Sequence, residues 1–259
     1  FMSAKESVFG EVARVYRESR KAHDIAWNVY VARPIAAVLV AILRRTPLTP
    51  NQVTILGAGV FILIVAPALL MPSSVGFLVT ALVVQAAYIF DCADGQLARL
   101  KGMTSEVGAY FDFLIDEFKA LLLVAVLAIR QWMITQDVMW LFVGLYGALA
   151  VSVATSLTGF VRRQEYSGVD IKPGASANQP GMPDGLLRKV LWLVQRFASF
   201  LVHYPSWIVF VALADLHPDI NGVTVFLALF LGVYTVYIGK VGLGVVVKLG
   251  RPSFYRKSS

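Results

Sequence analysis

Between positions 91 and 116 the chain reads Asp91-Cys92-Ala93-Asp94-Gly95-Gln96-Leu97-Ala98-Arg99 and, after eight intervening residues, Gly108-Ala109-Tyr110-Phe111-Asp112-Phe113-Leu114-Ile115-Asp116. Asp91 and Asp94 are three apart and Asp112 and Asp116 four apart, so on helices each pair shares one face. The surroundings are apolar. The segments Val75–Ala98 and Ser105–Ile129 approach the roughly 20 residues a spanning helix needs. The connection between them is short, which makes the two helices antiparallel neighbours. Four carboxylates can then converge. Carboxylates inside membrane helices are costly and mark function by default.

Composition extends this reading outward. Of 259 residues, 58% are hydrophobic and only 15% charged, and the mean hydropathy is +0.69. A soluble domain of this length needs more polar surface. Beyond the two helices just named, four more segments approach spanning length: Asn51–Met71, Val138–Val161, Val190–Leu213 and Val223–Val247. Ile35–Leu43 is too short and is flanked by Arg33, Arg44 and Arg45, the pattern of an amphipathic helix lying at the interface. The expected fold is an all-α integral membrane protein with six transmembrane helices preceded by an N-terminal amphipathic interfacial helix. Residues 1–49 form the interfacial segment, 50–249 the six-helix catalytic unit and 250–259 a basic tail.

The net charge of +7 would suit nucleic acid or an anionic membrane surface. The hydropathy selects the membrane, and no nucleic-acid partner is expected. Lys and Arg alternate between connections. Arg99 and Lys101, Arg162 and Arg163, and Lys248 and Arg251 lie on the side of the basic N-terminal region, whereas of the opposite connections Pro72–Ser74 and Asp215–Asn221 contain no Lys or Arg and Arg130–Asp137 contains one. The positive-inside rule therefore puts both termini and the aspartates on the cytoplasmic side. The single cysteine, Cys92, permits no intrachain disulfide and reads as a small packing residue. The loop Gln164–Leu187 is rich in Gly, Pro, Ser and Asn, as irregular chain near a site often is.

Four like charges at low dielectric repel strongly unless cations offset them. Clustered hard oxygens suit Mg²⁺, Mn²⁺ or Ca²⁺, and a pair of such ions bridging a diphosphate is a recurring device of phosphoryl-type transfer. Gly95, Ala98 and Gly108 remove bulk beside the carboxylates, leaving room for a flat base or a diphosphate. Arg99 supplies a cation suited to phosphate oxygens.

This pattern, Asp91-x-x-Asp94-Gly95-x-x-Ala98-Arg99, eight residues, Gly108-x-x-x-Asp112-x-x-x-Asp116, resembles the signature of the CDP-alcohol phosphotransferase family at every defined position. Pro50-Asn51-x-x-Thr54 ahead of it is similar to the same family. The resemblance implies two divalent ions, Mg²⁺ or Mn²⁺, held by Asp91, Asp94 and Asp112, with Asp116 beside them as the general base. It implies a nucleotide site of Asn51, Thr54, Gly95, Ala98, Arg99 and Gly108 together with Asp91 and Asp94. It further implies release of CMP, a role in phospholipid biosynthesis and a homodimer, in the cell inner membrane if the source is prokaryotic.

The acceptor is less legible. Arg162 and Arg163 near the end of the fourth span, and Lys240 inside the sixth, would suit a phosphorylated polyol such as inositol phosphate or glycerol phosphate, with CDP-diacylglycerol as donor. A CDP-choline or CDP-ethanolamine donor with a diacylglycerol acceptor is the alternative, and a cation transporter using the same carboxylates is the reading from another class. Asn51 can equally be an N-cap. Glu117, next to Asp116, is expected to face away, because adjacent helical residues point about 100° apart. The scattered histidines His23, His203 and His217 carry no catalytic expectation.

Overall fold

The structure, a computed structural model, describes residues 8–21, 24–168 and 185–255. Most of the expected loop Gln164–Leu187 lies outside them, as do the last residues of the basic tail. Among the described residues every regular element is helical.

Helix α1 (Val8–Ser19) is followed by a π-helical turn, Asn28–Ala32, that runs into α2 (Arg33–Leu43). Both helices pack inward. Val15, Ala36, Ala37 and Val40 are fully buried, in one cluster with Val53, Cys92, Ala93 and Leu97. The N-terminal helices therefore rest on the helix that carries Asp91. Glu11 fastens α1 to the end of α2, accepting hydrogen bonds from Arg44 at 2.5 Å and Arg45 at 2.6 Å.

Helix α3 (Pro50–Ile62) starts at a capping box. The Thr49 hydroxyl accepts from the Gln52 amide, and the Gln52 side chain accepts from the Thr49 amide at 2.9 Å. Pro50 occupies the first turn, where its missing N–H costs nothing. Thr49 is thus the cap, and Asn51 is released from that role. The chain breaks at Leu63 and Ile64 before α4 (Val65–Leu70). The cause is Pro67, whose ring occupies the space of the carbonyl four residues earlier.

Helices α5 (Ser74–Leu100) and α6 (Glu106–Thr135) form the central pair, followed by α7 (Met139–Arg162) and the single turn α8 (Gln164–Ser167). Helix α3 lies against α5 and α6, α6 against α7, and α7 against α11 (Gly222–Leu249). Close approach needs small residues: a Cβ on Gly147 would come within 2.3 Å of Val124. The main core gathers Phe61, Phe77, Leu123, Leu127, Phe226 and Phe230. By contrast, a Cβ on Gly239, Gly242 or Gly244 would meet nothing within 4 Å.

The stretch expected as the fifth span, Val190–Leu213, is not one helix. It comprises α9 (Leu186–Val202), a 3₁₀ turn at Tyr204–Ser206 and α10 (Ile208–Ala214), with α12 (Pro252–Tyr255) closing the described chain. Pro205 has no N–H with which to continue α9. Among the described residues four helical stretches are long and apolar enough to cross a membrane: Pro50–Leu70, Ser74–Leu100, Met139–Arg162 and Gly222–Leu249. Helix α6 matches them in length at 30 residues but carries Glu106, Asp112, Asp116, Glu117, Lys119 and Arg130. Exposed Phe142, Leu145 and Leu149 on α7, and Leu243 and Val246 on α11, present apolar faces suited to lipid.

Candidate active site

The reversal between α5 and α6 is built locally. Gly102 adopts φ +64° at the end of α5, where a left-handed residue closes a helix. Ser105 then caps α6, its hydroxyl accepting from the Gly108 amide at 3.0 Å. Three of the four aspartates are brought together. Oxygens of Asp91, Asp112 and Asp116 all lie within 4.8 Å of one another. Asp94 stands outside that trio, its Oδ2 accepting from the Thr54 hydroxyl at 2.5 Å. Asp112 Oδ1 is buried and has no hydrogen-bond partner. An orphaned buried carboxylate oxygen beside two other hard oxygens fits a divalent cation.

Lys119 was not anticipated among the site residues. Its side chain is 6% exposed, and its ammonium donates to Asp91 Oδ1 at 2.7 Å and Asp116 Oδ1 at 3.0 Å. The signal was present in the spacing, since Lys119 follows Asp116 by three residues and so shares its face. Asp116 is the more open partner, with its side chain 52% exposed against 16% for Asp91.

Two cavities flank the cluster. The larger, about 500 Å³, gathers Asn51, Asp94, Gly95, Ala98, Arg99, Gly108 and Asp112. All but Asp112 belong to the expected nucleotide set. Thr54 stays behind this wall, bonded to Asp94. A Cβ on Gly108 would meet Asn51 Oδ1 at 3.3 Å and Ser105 Oγ at 3.0 Å, so glycine keeps this wall open. Arg99 donates through Nε to the Ser19 carbonyl at 2.7 Å and leaves Nη2 buried without a partner. Lys21, just after α1, also lines this cavity.

The smaller cavity, about 230 Å³, lies on the other side of Asp116 and Lys119 and is lined by Glu117, Tyr88, His203, Tyr204, Tyr234 and Thr155 among others. Glu117, expected to face away, opens onto the same cavity as Asp116. The His203 ring Nε2 is 2.8 Å from the Tyr88 hydroxyl, which donates to Asn28 Oδ1 at 2.6 Å. Asn28 in turn donates to Asp24, the partner of Arg33.

The residues read as acceptor contacts stand outside both cavity linings, although Phe113, on which Arg162 rests, lines the smaller one. Arg162 lies over the Phe113 ring, 5.5 Å from its centroid, while Arg163 and Lys240 are exposed. None of the three lines either cavity.

The sequence profile of the CDP-alcohol phosphatidyltransferase family matches residues 47–234, which takes in the paired aspartate helices, Asn51 and the smaller cavity. The chain belongs to this family. It is an integral membrane enzyme that transfers phosphate-containing groups, of the class that carries out phosphatidyl transfer from CDP-alcohols in phospholipid synthesis. No curated protein matches the chain significantly.

Proposed function

We propose that the chain transfers a substituted phosphate from a CDP-linked donor to an alcohol at the aspartate cluster, releasing CMP. The observation that carries this reading is the constellation of Asp91, Asp112 and Asp116 between two cavities. The cytidine occupies the larger cavity, and the group beyond the β-phosphorus faces the smaller one. Asp91, Asp94, Asp112 and Asp116 are the residues that would hold two divalent ions, Mg²⁺ or Mn²⁺. When bound, these ions neutralise charge on the diphosphate.

The chain's own residues do the rest. Asp116, the open carboxylate, accepts the proton of the acceptor hydroxyl. That oxygen forms the new bond to the β-phosphorus, and the bond from β-phosphorus to the bridging oxygen breaks. CMP leaves with the electron pair. Asn51, Gly95, Ala98, Arg99 and Gly108 seat the nucleotide so that this attack is unimolecular.

For the alcohol, the smaller cavity favours an amino-alcohol group over a phosphorylated polyol. Among the described residues its one cation is Lys119, already bonded to two carboxylates, while Glu117, Asp116 and three tyrosines complete the wall. Carboxylates and aromatic rings attract an ammonium and repel a phosphate. Either arrangement satisfies this: a CDP-amino alcohol with diacylglycerol, or CDP-diacylglycerol with a free amino alcohol. Arg162, Arg163 and Lys240 are then cytoplasmic anchors. We also propose six spans, a homodimer and an active site on the cytoplasmic side, which a substituted-cysteine labelling map and chemical crosslinking test.

The deciding assay is CMP release from protein in lipid with Mn²⁺. CDP-choline or CDP-ethanolamine with diacylglycerol is set beside CDP-diacylglycerol with serine, inositol, inositol phosphate or glycerol phosphate. Release with an amino-alcohol pair is the expected result. Release only with a phosphorylated polyol contradicts the cavity argument, and ion flux without CMP release restores the transporter.

A further inference from the structure

Among the described residues Lys119 is the one buried cation in direct contact with the cluster. An ammonium buried in a membrane helix is expensive alone, and the helix spends that cost at the chemistry. From α6 the side chain reaches across to Asp91 on α5 and back to Asp116 on its own helix. It is therefore a clamp between the two helices that carry the four aspartates. In each carboxylate the bonded atom is Oδ1, which turns a defined edge to Lys119 and leaves Oδ2 for other partners.

We propose that Lys119 is a positioning residue for the transfer, one that fixes the directions of the Asp91 and Asp116 carboxylates and offsets their charge before divalent ions arrive. This rests on the transferase reading of the cluster. Two consequences have opposite signs. Removing a positive charge beside the cluster deepens its negative potential, so divalent ions bind more tightly. Removing the clamp frees the Asp116 carboxylate, so the step it serves slows, because small misplacements cost about 100-fold. Lys119 does not line the nucleotide cavity, so nucleotide affinity at saturating ion should hold.

The test uses full-length protein in lipid and three variants, Lys119→Met, Lys119→Gln and Lys119→Arg. Mn²⁺ binding is titrated calorimetrically without nucleotide, melting is recorded in EDTA and in Mn²⁺, and kcat and KM are measured separately. Lys119→Met and Lys119→Gln are expected to bind Mn²⁺ roughly tenfold more tightly, to melt far earlier in EDTA than in Mn²⁺, and to lose about 100-fold in kcat at little-changed KM. Lys119→Arg keeps the charge and should restore wild-type Mn²⁺ affinity. Weaker Mn²⁺ binding with equal loss of melting temperature in both buffers would overturn the proposal, leaving Lys119 a structural residue. So would an unchanged kcat. If wild-type protein binds no Mn²⁺, the metal reading of the cluster fails and the proposal goes with it. If wild type binds Mn²⁺ and releases CMP while Lys119→Met behaves identically, the proposal alone fails.

Discussion

Helix α6 buries two cations, and they are used in opposite ways. At the site end, Lys119 is held by two carboxylates that border a cavity. At the far end, Arg130, 2% exposed, donates to the carbonyls of Ala68, Met71, Pro72 and Ser73 at 2.6–2.9 Å. Those carbonyls end α4 and turn the chain into α5, where a helix terminus leaves acceptors without partners. Arg130 thus supplies donors to a connection buried away from water. The comparison teaches how to read a buried charge inside a helix bundle. Backbone carbonyl partners make it a fastener, whereas ionisable partners beside a cavity make it part of a site.

The difference can be broken by substitution. Asp116→Asn should remove at least about 10³-fold in CMP release while metal-dependent CDP binding and melting temperature stay near wild type; retained turnover would remove the base assignment. Arg130→Met should do the reverse. It leaves the carbonyls of Ala68, Met71 and Pro72 short of donors, while Ser73 keeps the Gly76 amide at 2.8 Å. The expected cost is about 3–5 kcal/mol of stability, at about 1–3 kcal/mol per buried unpaired acceptor, read as early melting and poor yield, with normal kcat in the protein that folds. A lowered kcat at normal melting would erase the contrast between the two ends.

Smaller effects sharpen it. Gly108→Ala places a methyl against Asn51 and Ser105 and should raise KM for the CDP donor about tenfold, since small overpacking costs about 1–3 kcal/mol. An unchanged KM would move the nucleotide out of the larger cavity. Replacing the exposed Lys240 and Arg163 together by Ala should alter turnover by less than about twofold, as for exposed charges that line neither cavity. A tenfold rise in acceptor KM would return those cations to the acceptor.

Much of the site was legible because helical spacing is rigid. Three- and four-residue intervals put Asp91, Asp112 and Asp116 together once the α5–α6 turn was known to be short, and the small residues Gly95, Ala98 and Gly108 located the larger cavity. What escaped depended on partners across helices. Lys119 gave its position on the Asp116 face but not its reach to Asp91. Glu117 lines the smaller cavity although adjacency argued otherwise, because a cavity wall subtends a wide arc of the helix. The break at Pro205 was hidden by a hydropathy that stays high through Val211, and the break near Leu63 by the apolar run around Pro67. Arg162, Arg163 and Lys240 line neither cavity, because charge alone says nothing about which way an element faces. Arg130 reads in the sequence as a charge of the connection Arg130–Asp137, and only the four carbonyls it meets reveal its burial.

The most direct measurement of the central claim is Mn²⁺-dependent binding of CDP to wild-type protein and to Asp91→Asn, in lipid, by calorimetry. If the aspartates hold ions that hold the diphosphate, wild type binds CDP only when Mn²⁺ is present and Asp91→Asn loses that dependence with the affinity. CDP binding that ignores Mn²⁺, or survives unchanged in Asp91→Asn, would contradict the account.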